Sequence, residues 1–296
     1  MCFSLAGEEE RRAAIGPTEG LPYTMKKAFD PSAGFEPIAA PGPHDWLANH
    51  LESGQTAEEF VRSRPKRPDT RRRTIYLQPL DEFPTGSGPS PETLKLFAKA
   101  FFTMEVRILP VVHLDSSNIR SRIHPGTGHR QFLTGDILKL LARRLLPGSY
   151  CLVGITLHDL YPDPSWNFVF GEALPEKGVG IYSFARYDPL FYEAKAPGRE
   201  PLMLRRSCKV LAHETSHLFG IAHCIYFRCL MNGSNHLGES DSRPLHLCPV
   251  DLRKLYGSIG FDPVERYLQL CAFCREVGFD DEVRWTEMQL AHLAGC

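Results

Sequence analysis

Short apolar runs alternate with amphipathic stretches through the middle of the chain. The runs are rich in β-branched residues and bounded by turn residues, which is typical of strands buried in a sheet: "TIYLQPL" (74–80), "EVRILPVVHL" (105–114) and "YCLVGITLHDL" (150–160). Two stretches between them space their apolar residues as amphipathic helices do: "SPETLKLFAKAFF" (90–102) and "RQFLTGDILKLLARRLL" (130–146). This order predicts an α/β fold with a mixed, mostly parallel sheet.

Two further strands and a long helix follow. The strands "WNFVFGEAL" (166–174) and "GVGIYSFARY" (178–187) are separated by "PEK", a gap that favours an antiparallel pair with one strand at the sheet edge, which we assign to the first. The next stretch, 201–220, repeats apolar residues at roughly helical intervals and reaches Gly220, a helix stop. We therefore expect an antiparallel edge strand followed by a long helix.

Residues 1–73 show a different pattern. They are rich in proline, glycine and charge, and they sustain no hydrophobic period apart from a short helix near Thr56 to Arg62. We expect a poorly structured N-terminal extension over 1–73 and a folded domain over 74–296. The basic stretch from Arg62 to Arg73 is typical of a solvated linker, with a nuclear-localisation or nucleic-acid patch as the alternative.

Composition and charge narrow the function classes. Lys plus Arg number 34 and Asp plus Glu 35, and the resulting net charge of −1 favours neither nucleic acid nor an acidic membrane as a partner. The first residues run at once into charge, unlike a secretory signal, and no apolar stretch reaches the ~18 residues of a membrane span. We expect a soluble intracellular protein, in the cytoplasm or alternatively the nucleus. In that compartment its clustered cysteines are metal ligands before disulfides.

The segment "HETSHLFGIAHC" carries the candidate chemistry. On a helix, His213 and His217 lie one turn apart on the same face and can bind one zinc ion at about 2.0–2.1 Å. Glu214 is adjacent to them and is the candidate general base. Gly220 allows a sharp exit from the helix, which brings His223 toward the same ion. Three histidines leave a fourth position for water, as in hydrolytic zinc sites.

These residues resemble the signature of the metzincin metallopeptidases, HExxHxxGxxH followed by a methionine turn. The methionine is Met231, for which an ordinary core residue is the alternative reading. Within the metzincins the chain is similar to the archaemetzincins over about residues 74–270. The cysteines that carry this likeness are Cys224, directly after the third histidine, then Cys229 and Cys248.

The resemblance implies a metzincin-like architecture and a second metal. An upper part over 74–220 would hold the sheet and the active-site helix, and a smaller lower part over 221–296 would hold the methionine turn. The family pattern places a structural zinc on four cysteines beside the catalytic zinc. We therefore expect two zinc ions per chain, one catalytic and one structural.

The chain departs from that pattern at the fourth cysteine, where it has Asp251. A carboxylate oxygen binds zinc at about 2.0–2.2 Å, so Asp251 is our favoured fourth ligand beside the three thiolates. The cysteines of "CAFC", Cys271 and Cys274, are a rival source of thiolate, and two partly buried free cysteines are the simpler reading of that motif. Loss of the structural zinc is the third alternative.

The implied activity is hydrolysis of peptide bonds in a peptide or protein substrate. Zinc lowers the pKa of the attacking water from 15.7 toward about 7, and Glu214 accepts the proton and passes it to the leaving amine. The expected edge strand would align an extended peptide through main-chain hydrogen bonds. The resemblance suggests restricted peptides and an aminopeptidase-like preference.

Two other function classes compete with this reading. A non-catalytic zinc scaffold would keep the metal for stability alone, and the intact Glu214 argues against it because a structural site needs no carboxylate there. A nucleic-acid protein that uses Arg62 to Arg73 would bind with a steep salt dependence, and the neutral overall charge disfavours it. The sequence carries no signal for the oligomeric state.

Overall fold

The computed structural model describes residues 3–192 and 198–295. The chain divides into two compact units, a sheet unit over Pro68–Leu218 and a helical unit that joins the residues up to Arg67 with those from Phe219 onward. No helix in the described ranges has both the length and the apolar character that a membrane crossing requires.

In chain order the elements are α1 (Glu8–Ile15), α2 (Tyr23–Ala28), α3 (Trp46–Asn49), α4 (Ala57–Arg62), β1 (Thr74–Leu80), α5 (Pro91–Phe102), β2 (Glu105–Ile108), β3 (Ser121–Ile123), β4 (Arg130–Leu133), α6 (Thr134–Arg144), β5 (Ser149–Thr156), β6 (Asp159–Tyr161), β7 (Gly171–Leu174), β8 (Val179–Ser183), α7 (Arg199–Leu218), α8 (Leu237–Asp241), α9 (Pro249–Ile259), α10 (Pro263–Val277) and α11 (Asp280–Ala294).

The sheet unit is built on a five-stranded sheet in the order β2-β1-β5-β8-β7. The pairs β1–β2, β1–β5 and β5–β8 are parallel, whereas β7 runs antiparallel to β8 at the edge. All residues of β5 are buried, as expected for a parallel strand covered on both faces. The predicted mixed, mostly parallel sheet with an antiparallel edge strand is therefore confirmed.

Alternate residues of the sheet face different helices. Ile181 of β8 packs in a core cluster with Leu138 and Leu141 of α6. The next residue, Tyr182, points to the other face of the pleated strand, where α7 packs against β7 and β8. The edge strand β7 thus lies against the helix that carries the histidine motif.

A second, three-stranded sheet in the order β3-β4-β6 is absent from the sequence predictions. β4 occupies the first four residues of the stretch 130–146, which the apolar spacing assigned to one helix, and α6 begins only at Thr134. Gln131 explains the change because its buried side-chain amide donates to Asp159 and to the carbonyl of Asn167. These long-range partners hold residues 130–133 in a strand.

The N-terminal residues are helical and partly buried, which corrects the expectation of a poorly structured extension. α1 and α4 pack against α9, and α2 packs against α10 and α11. The buried apolar residues of this segment include Ile15, Met25, Phe29 and Phe60. Each of these helices has eight residues or fewer, so no hydrophobic period is sustained in the sequence, and their apolar faces are covered by helices from the far end of the chain.

One N-terminal element matches its prediction. α4 begins after Thr56, whose side chain accepts from the backbone N–H of Glu59 at 3.1 Å, and the Glu59 side chain accepts in return from the N–H of Thr56 at 2.8 Å. This reciprocal capping box is the local signal that marks the short helix near Thr56 to Arg62.

Candidate metal centres

Helix α7 presents His213 and His217 on one face. The opposite side of the helix is anchored in the core of the sheet unit by Cys208, Leu211 and Ala212. The two histidine side chains are half-buried, and their Nε2 atoms lie 3.1 Å apart with the rings nearly perpendicular at 88°. Two imidazole nitrogens that converge in this way suit a shared zinc ion, so the donor geometry fits the predicted metal.

Glu214 lies between these histidines in sequence and close to Tyr182 of β8. Burial raises the pKa of Tyr182 well above its usual range, and the negative charge of Glu214 raises it further. The phenol therefore stays protonated beside the carboxylate. Two residues after Glu214, the buried hydroxyl of Ser216 donates to the carbonyl of Ala212 at 2.7 Å, which accommodates a polar residue inside the helix.

The segment after α7 contains Gly220 and His223 and belongs to the helical unit. Gly220 has a φ of +84°, the left-handed conformation that the sequence predicted for the exit from the helix. A Cβ atom at this position would lie 3.0 Å from Pro65, so glycine is favoured by both backbone and space. The Nδ1 atom of His223 lies 2.7 Å from Oε1 of Glu52, a residue that sequence reasoning missed.

Four sequence-predicted ligands come together in the helical unit: Cys224, Cys229, Cys248 and Asp251. All four are buried, and their potential ligand atoms lie within 4.8 Å of one another. The Sγ atom of Cys229 is 3.2 Å from Oδ2 of Asp251, and the sulfurs of Cys224 and Cys248 are 3.6 Å apart. Three thiols and a carboxylate are all zinc ligands, so this donor set also fits zinc.

Lys254 joins this group and was also missed by sequence reasoning. Its Nζ donates to Oδ1 of Asp251 at 2.8 Å, and both side chains are fully buried. Burial raises the pKa of Asp251 to about 6, and the charge of Cys224 adds to this, whereas Lys254 opposes it. The spacing of Asp251 and Lys254, three residues apart on α9, is the one sequence signal that could have revealed the pair.

The thiols of this group differ in acidity. Burial opposes ionisation of Cys224, but hydrogen bonds from Cys229 and Cys248 and the charge of Lys254 outweigh it, so the pKa of Cys224 is held well below its usual range. Burial raises the pKa of Cys229 and of Cys248 well above it. The pKa of Cys224 is therefore shifted in the opposite direction from those of its two neighbours, and thiolate sulfurs are soft donors for a cation.

Asn232 holds the loop that carries the first two cysteines. Its side-chain Oδ1 accepts from the backbone N–H of Cys229 at 2.8 Å, and its Nδ2 donates to the carbonyls of Cys224 and Phe227 at 2.9 Å each. The adjacent Met231 is fully buried, and its carbonyl accepts from the N–H of Cys224. The predicted turn at the methionine is thus closed by main-chain and amide hydrogen bonds.

The cysteines of the CAFC motif lie elsewhere. Cys271 and Cys274 are buried on α10, where Arg275 donates to the sulfur of Cys271 at 3.4 Å. In the described part of the chain, the group around Cys248 has Asp251 as its fourth member and includes neither of these thiols. Both cysteines form no disulfide, and they are more deeply buried than the partly buried pair that the sequence suggested.

A helix that carries HExxH beside an antiparallel edge strand, followed by a glycine turn and a third histidine, defines a metallopeptidase. Comparison with known proteins agrees. The family model of peptidase family M54 matches residues 148–256. The chain is 40% identical over 276 residues to archaemetzincin-2 of Homo sapiens, with 83% of this chain and 76% of that protein covered. The chain belongs to the archaemetzincin family.

Other relatives extend this similarity. Archaemetzincin-1 of Mus musculus is 35% identical over 301 residues, which cover 92% of this chain and 60% of that protein. Among solved structures, the archaemetzincin of Archaeoglobus fulgidus in complex with malonate is 28% identical and has a TM-score of 0.43, with 61% of this chain and 99% of that chain covered. A zinc-dependent peptidase of Methanocorpusculum labreanum is 24% identical with a TM-score of 0.49, over 61% of this chain and 99% of that chain.

Proposed function

We propose that this metallopeptidase hydrolyses peptide bonds with water at a zinc ion held by His213, His217 and His223, and that Glu214 is its general acid and base. The observation that carries the proposal is the convergence of the His213 and His217 Nε2 atoms, 3.1 Å apart, on the helix that also carries Glu214. Zinc bound there would supply Lewis acidity, which makes water a nucleophile near neutral pH and polarises a peptide carbonyl.

Glu214 is the proton carrier in this proposal. It accepts the proton of the attacking water and later delivers it to the nitrogen of the leaving amine, a role that contributes about 10²–10⁴ in rate. The nearby phenol of Tyr182 keeps its proton because burial raises its pKa, so it stays neutral and adds no second negative charge beside Glu214. The carboxylate is therefore the group placed for proton transfer.

The edge strand β7 is the proposed binding surface for an extended peptide. It is the last strand in the sheet order, and it packs against α7, the helix with the histidine pair. A peptide that adds to β7 would gain main-chain hydrogen bonds that tolerate many side chains. Family resemblance supports an aminopeptidase-like preference for restricted peptides. An aminopeptidase would cleave a peptide with a free N-terminus but not the N-acetylated form of the same peptide.

A second, structural zinc is proposed at Cys224, Cys229, Cys248 and Asp251. Structural zinc sites are closed by four protein ligands, whereas catalytic sites keep a position for solvent. All four of these residues are buried, which supports the closed class. We also propose an intracellular location, in the cytoplasm or alternatively the nucleus, where clustered cysteines serve as metal ligands before disulfides.

The alternative function is a zinc-binding scaffold without activity. A scaffold of this kind would bind zinc at the same two groups as the enzyme, but Glu214 would have no role in it. An inactive wild type with full zinc content would therefore favour the scaffold over the enzyme.

The decisive experiment compares wild type with Glu214→Gln, which keeps the side-chain size and removes the charge. The matched control is Glu200→Gln, an exposed position in the first turn of the same helix. Zinc per chain is measured by elemental analysis, and cleavage of a mixed peptide library is read by mass spectrometry. We expect Glu214→Gln to keep its zinc and lose at least ~10²-fold of the cleavage rate, with the control unchanged. Equal cleavage by both variants would overturn the assignment of Glu214.

A further inference from the structure

We infer that Glu52, from the N-terminal part of the chain, is a positioning residue for His223 and raises the affinity of the histidine site for zinc. This inference rests on the proposed role of His223 as a ligand. The Oε1 atom of Glu52 lies 2.7 Å from Nδ1 of His223, and the two side chains are only 20% and 21% exposed. Such a short, largely shielded contact is a charge-assisted hydrogen bond.

The contact fixes which nitrogen of His223 carries the proton. A carboxylate only accepts hydrogen bonds, so Nδ1 must donate, and the lone pair that can bind a metal is then on Nε2. The same Oε1 atom accepts a second hydrogen bond, from Nε1 of Trp46 at 2.7 Å. An indole nitrogen can only donate, so Oε1 is an acceptor toward Trp46, and its two lone pairs allow it to accept from both rings.

Trp46 also restrains the ring plane of His223. The indole meets the imidazole edge to face with ring centroids 5.2 Å apart. The ring of His50 stacks on the indole with centroids 3.7 Å apart. The backbone N–H of Trp46 donates to both carboxylate oxygens of Glu239, at 3.0 and 3.1 Å. The donor to Glu52 is thus held from both its side chain and its main chain.

The backbone around His223 is fixed by the same N-terminal segment. Gln55 donates through Nε2 to the carbonyl of Gly220 at 3.2 Å and accepts through Oε1 from the N–H of Ala222 at 3.1 Å. Farther along, residues 36–38 pair with 226–228, where the N–H of Arg228 donates to the carbonyl of Glu36 at 2.8 Å. The segment that bears His223 is therefore held on both of its sides.

The physical consequence is a preorganised ligand. A histidine whose second nitrogen donates to a carboxylate has a fixed tautomer, a fixed ring orientation and a more basic metal-binding nitrogen, and loss of such a partner costs about 10–100-fold in metal affinity. Glu52 lies outside the matched family residues 148–256, in a segment whose sequence pattern gave no sign of a role in the site. In this proposal Glu52 acts through His223 and not on the substrate.

The test is a zinc titration of the full chain, read as bound ions per chain by native mass spectrometry in buffers of defined free zinc. The variants are Glu52→Ala, Glu52→Gln, His223→Ala and the double variant Glu52→Ala/His223→Ala. Glu58→Gln is the matched control, since that carboxylate also lies in the N-terminal segment but is 74% exposed. The binding step that a His213→Ala variant loses identifies the histidine site.

We expect Glu52→Ala to weaken this step by 10–100-fold, with Glu52→Gln in between, because an amide oxygen still accepts from Nδ1 but carries no charge. The Glu58 control and zinc at the cysteine group stay unchanged, which excludes general misfolding. In the His223→Ala background, removal of Glu52 adds no further loss.

An unchanged affinity in Glu52→Ala, within twofold, would overturn the inference, and so would an equal further loss in the His223→Ala background. If His223→Ala itself binds zinc as tightly as wild type, the proposed ligand set fails instead. The two failures are therefore distinguishable.

Discussion

The two groups of candidate ligands differ in burial and in origin. The histidines are half-buried, and two of them come from one helix at a spacing of four residues, whereas the cysteines and Asp251 are fully buried and come from a loop and the start of α9. Catalytic zinc sites keep a coordination position open to solvent, whereas structural sites are closed by four protein ligands. In the proposed assignment, the half-buried histidines form the site for chemistry and the buried cysteine group forms the site for stability.

The two groups also differ in the charge that their ligands would bring to a zinc ion. Neutral imidazoles leave the charge of a zinc ion intact for catalysis, and each needs only a partner that orients its ring. Thiolates and a carboxylate together carry more negative charge than one zinc ion neutralises. The buried Lys254 offsets part of this excess through its 2.8 Å contact with Asp251.

The largest effect on the free energy of unfolding should follow from removal of one ligand of the cysteine group. We expect Cys248→Ser to lose the zinc of this group and to lower the free energy of unfolding by several kcal/mol, because structural zinc contributes about 10–16 kcal/mol in small zinc-finger peptides. Chemical denaturation with zinc analysis measures this. Cys271→Ser, at a buried thiol outside the group, is the control and should keep its zinc. Normal stability without zinc would contradict a structural role.

Lys254→Met should have the next largest effect. It leaves Asp251 as a buried carboxylate without its cation, a change that costs about 3–5 kcal/mol in buried ion pairs. The double variant Lys254→Met/Asp251→Cys should recover part of this loss, because a fourth thiolate is a stronger zinc ligand than a carboxylate. Urea unfolding of the wild type, of the single variants Lys254→Met and Asp251→Cys, and of the double variant gives the coupling energy. Purely additive changes would show that Lys254 and Asp251 do not act as a pair.

Asn232→Ala tests the loop of the cysteine group. Three backbone groups lose their amide partner, and we expect a loss of about 1–3 kcal/mol, since buried polar groups without partners are costly. Thermal unfolding measures the change. The cleavage rate of the residual folded enzyme should stay near wild type. A larger effect on cleavage than on stability would link this loop to the histidine site.

Ser216→Ala should have the smallest effect. The substitution removes the hydrogen bond from the Ser216 hydroxyl to the carbonyl of Ala212, which destabilises α7. Alanine has the higher helix propensity, which stabilises α7, so the free energy of unfolding should change by about 1 kcal/mol or less. Zinc content and cleavage should match wild type. Loss of zinc from this variant would mean that the histidine pair depends on more than helix spacing.

The sheet unit was largely predictable because its signals are local. The apolar runs of β1 and β5 exceed the length at which a strand pattern is distinct, and the helix spacing of His213 and His217 fixes their common face before any packing is known. The strands β3 and β6, of three residues each, were missed because such short segments carry no period and depend on partners such as Gln131.

The helical unit was poorly predictable because its order depends on contacts far apart in sequence. Phe60 and Ile15 are buried among short helices that pack on α9, and no local pattern reports a partner some 200 residues away. The contacts of Glu52 with His223 and of Gln55 with Gly220 could not be predicted for the same reason, since only folding brings these residues together. The cysteine spacing revealed the thiols, but the role of Lys254 required its observed burial.

The most direct test of two separate zinc groups is a count of zinc ions per chain by native mass spectrometry for wild type, His213→Ala and Cys248→Ser. We expect two ions in the wild type and one in each variant, with cleavage lost in His213→Ala while its stability is largely retained. A single ion in the wild type, or two ions that persist in either variant, would contradict the assignment of separate catalytic and structural zinc groups.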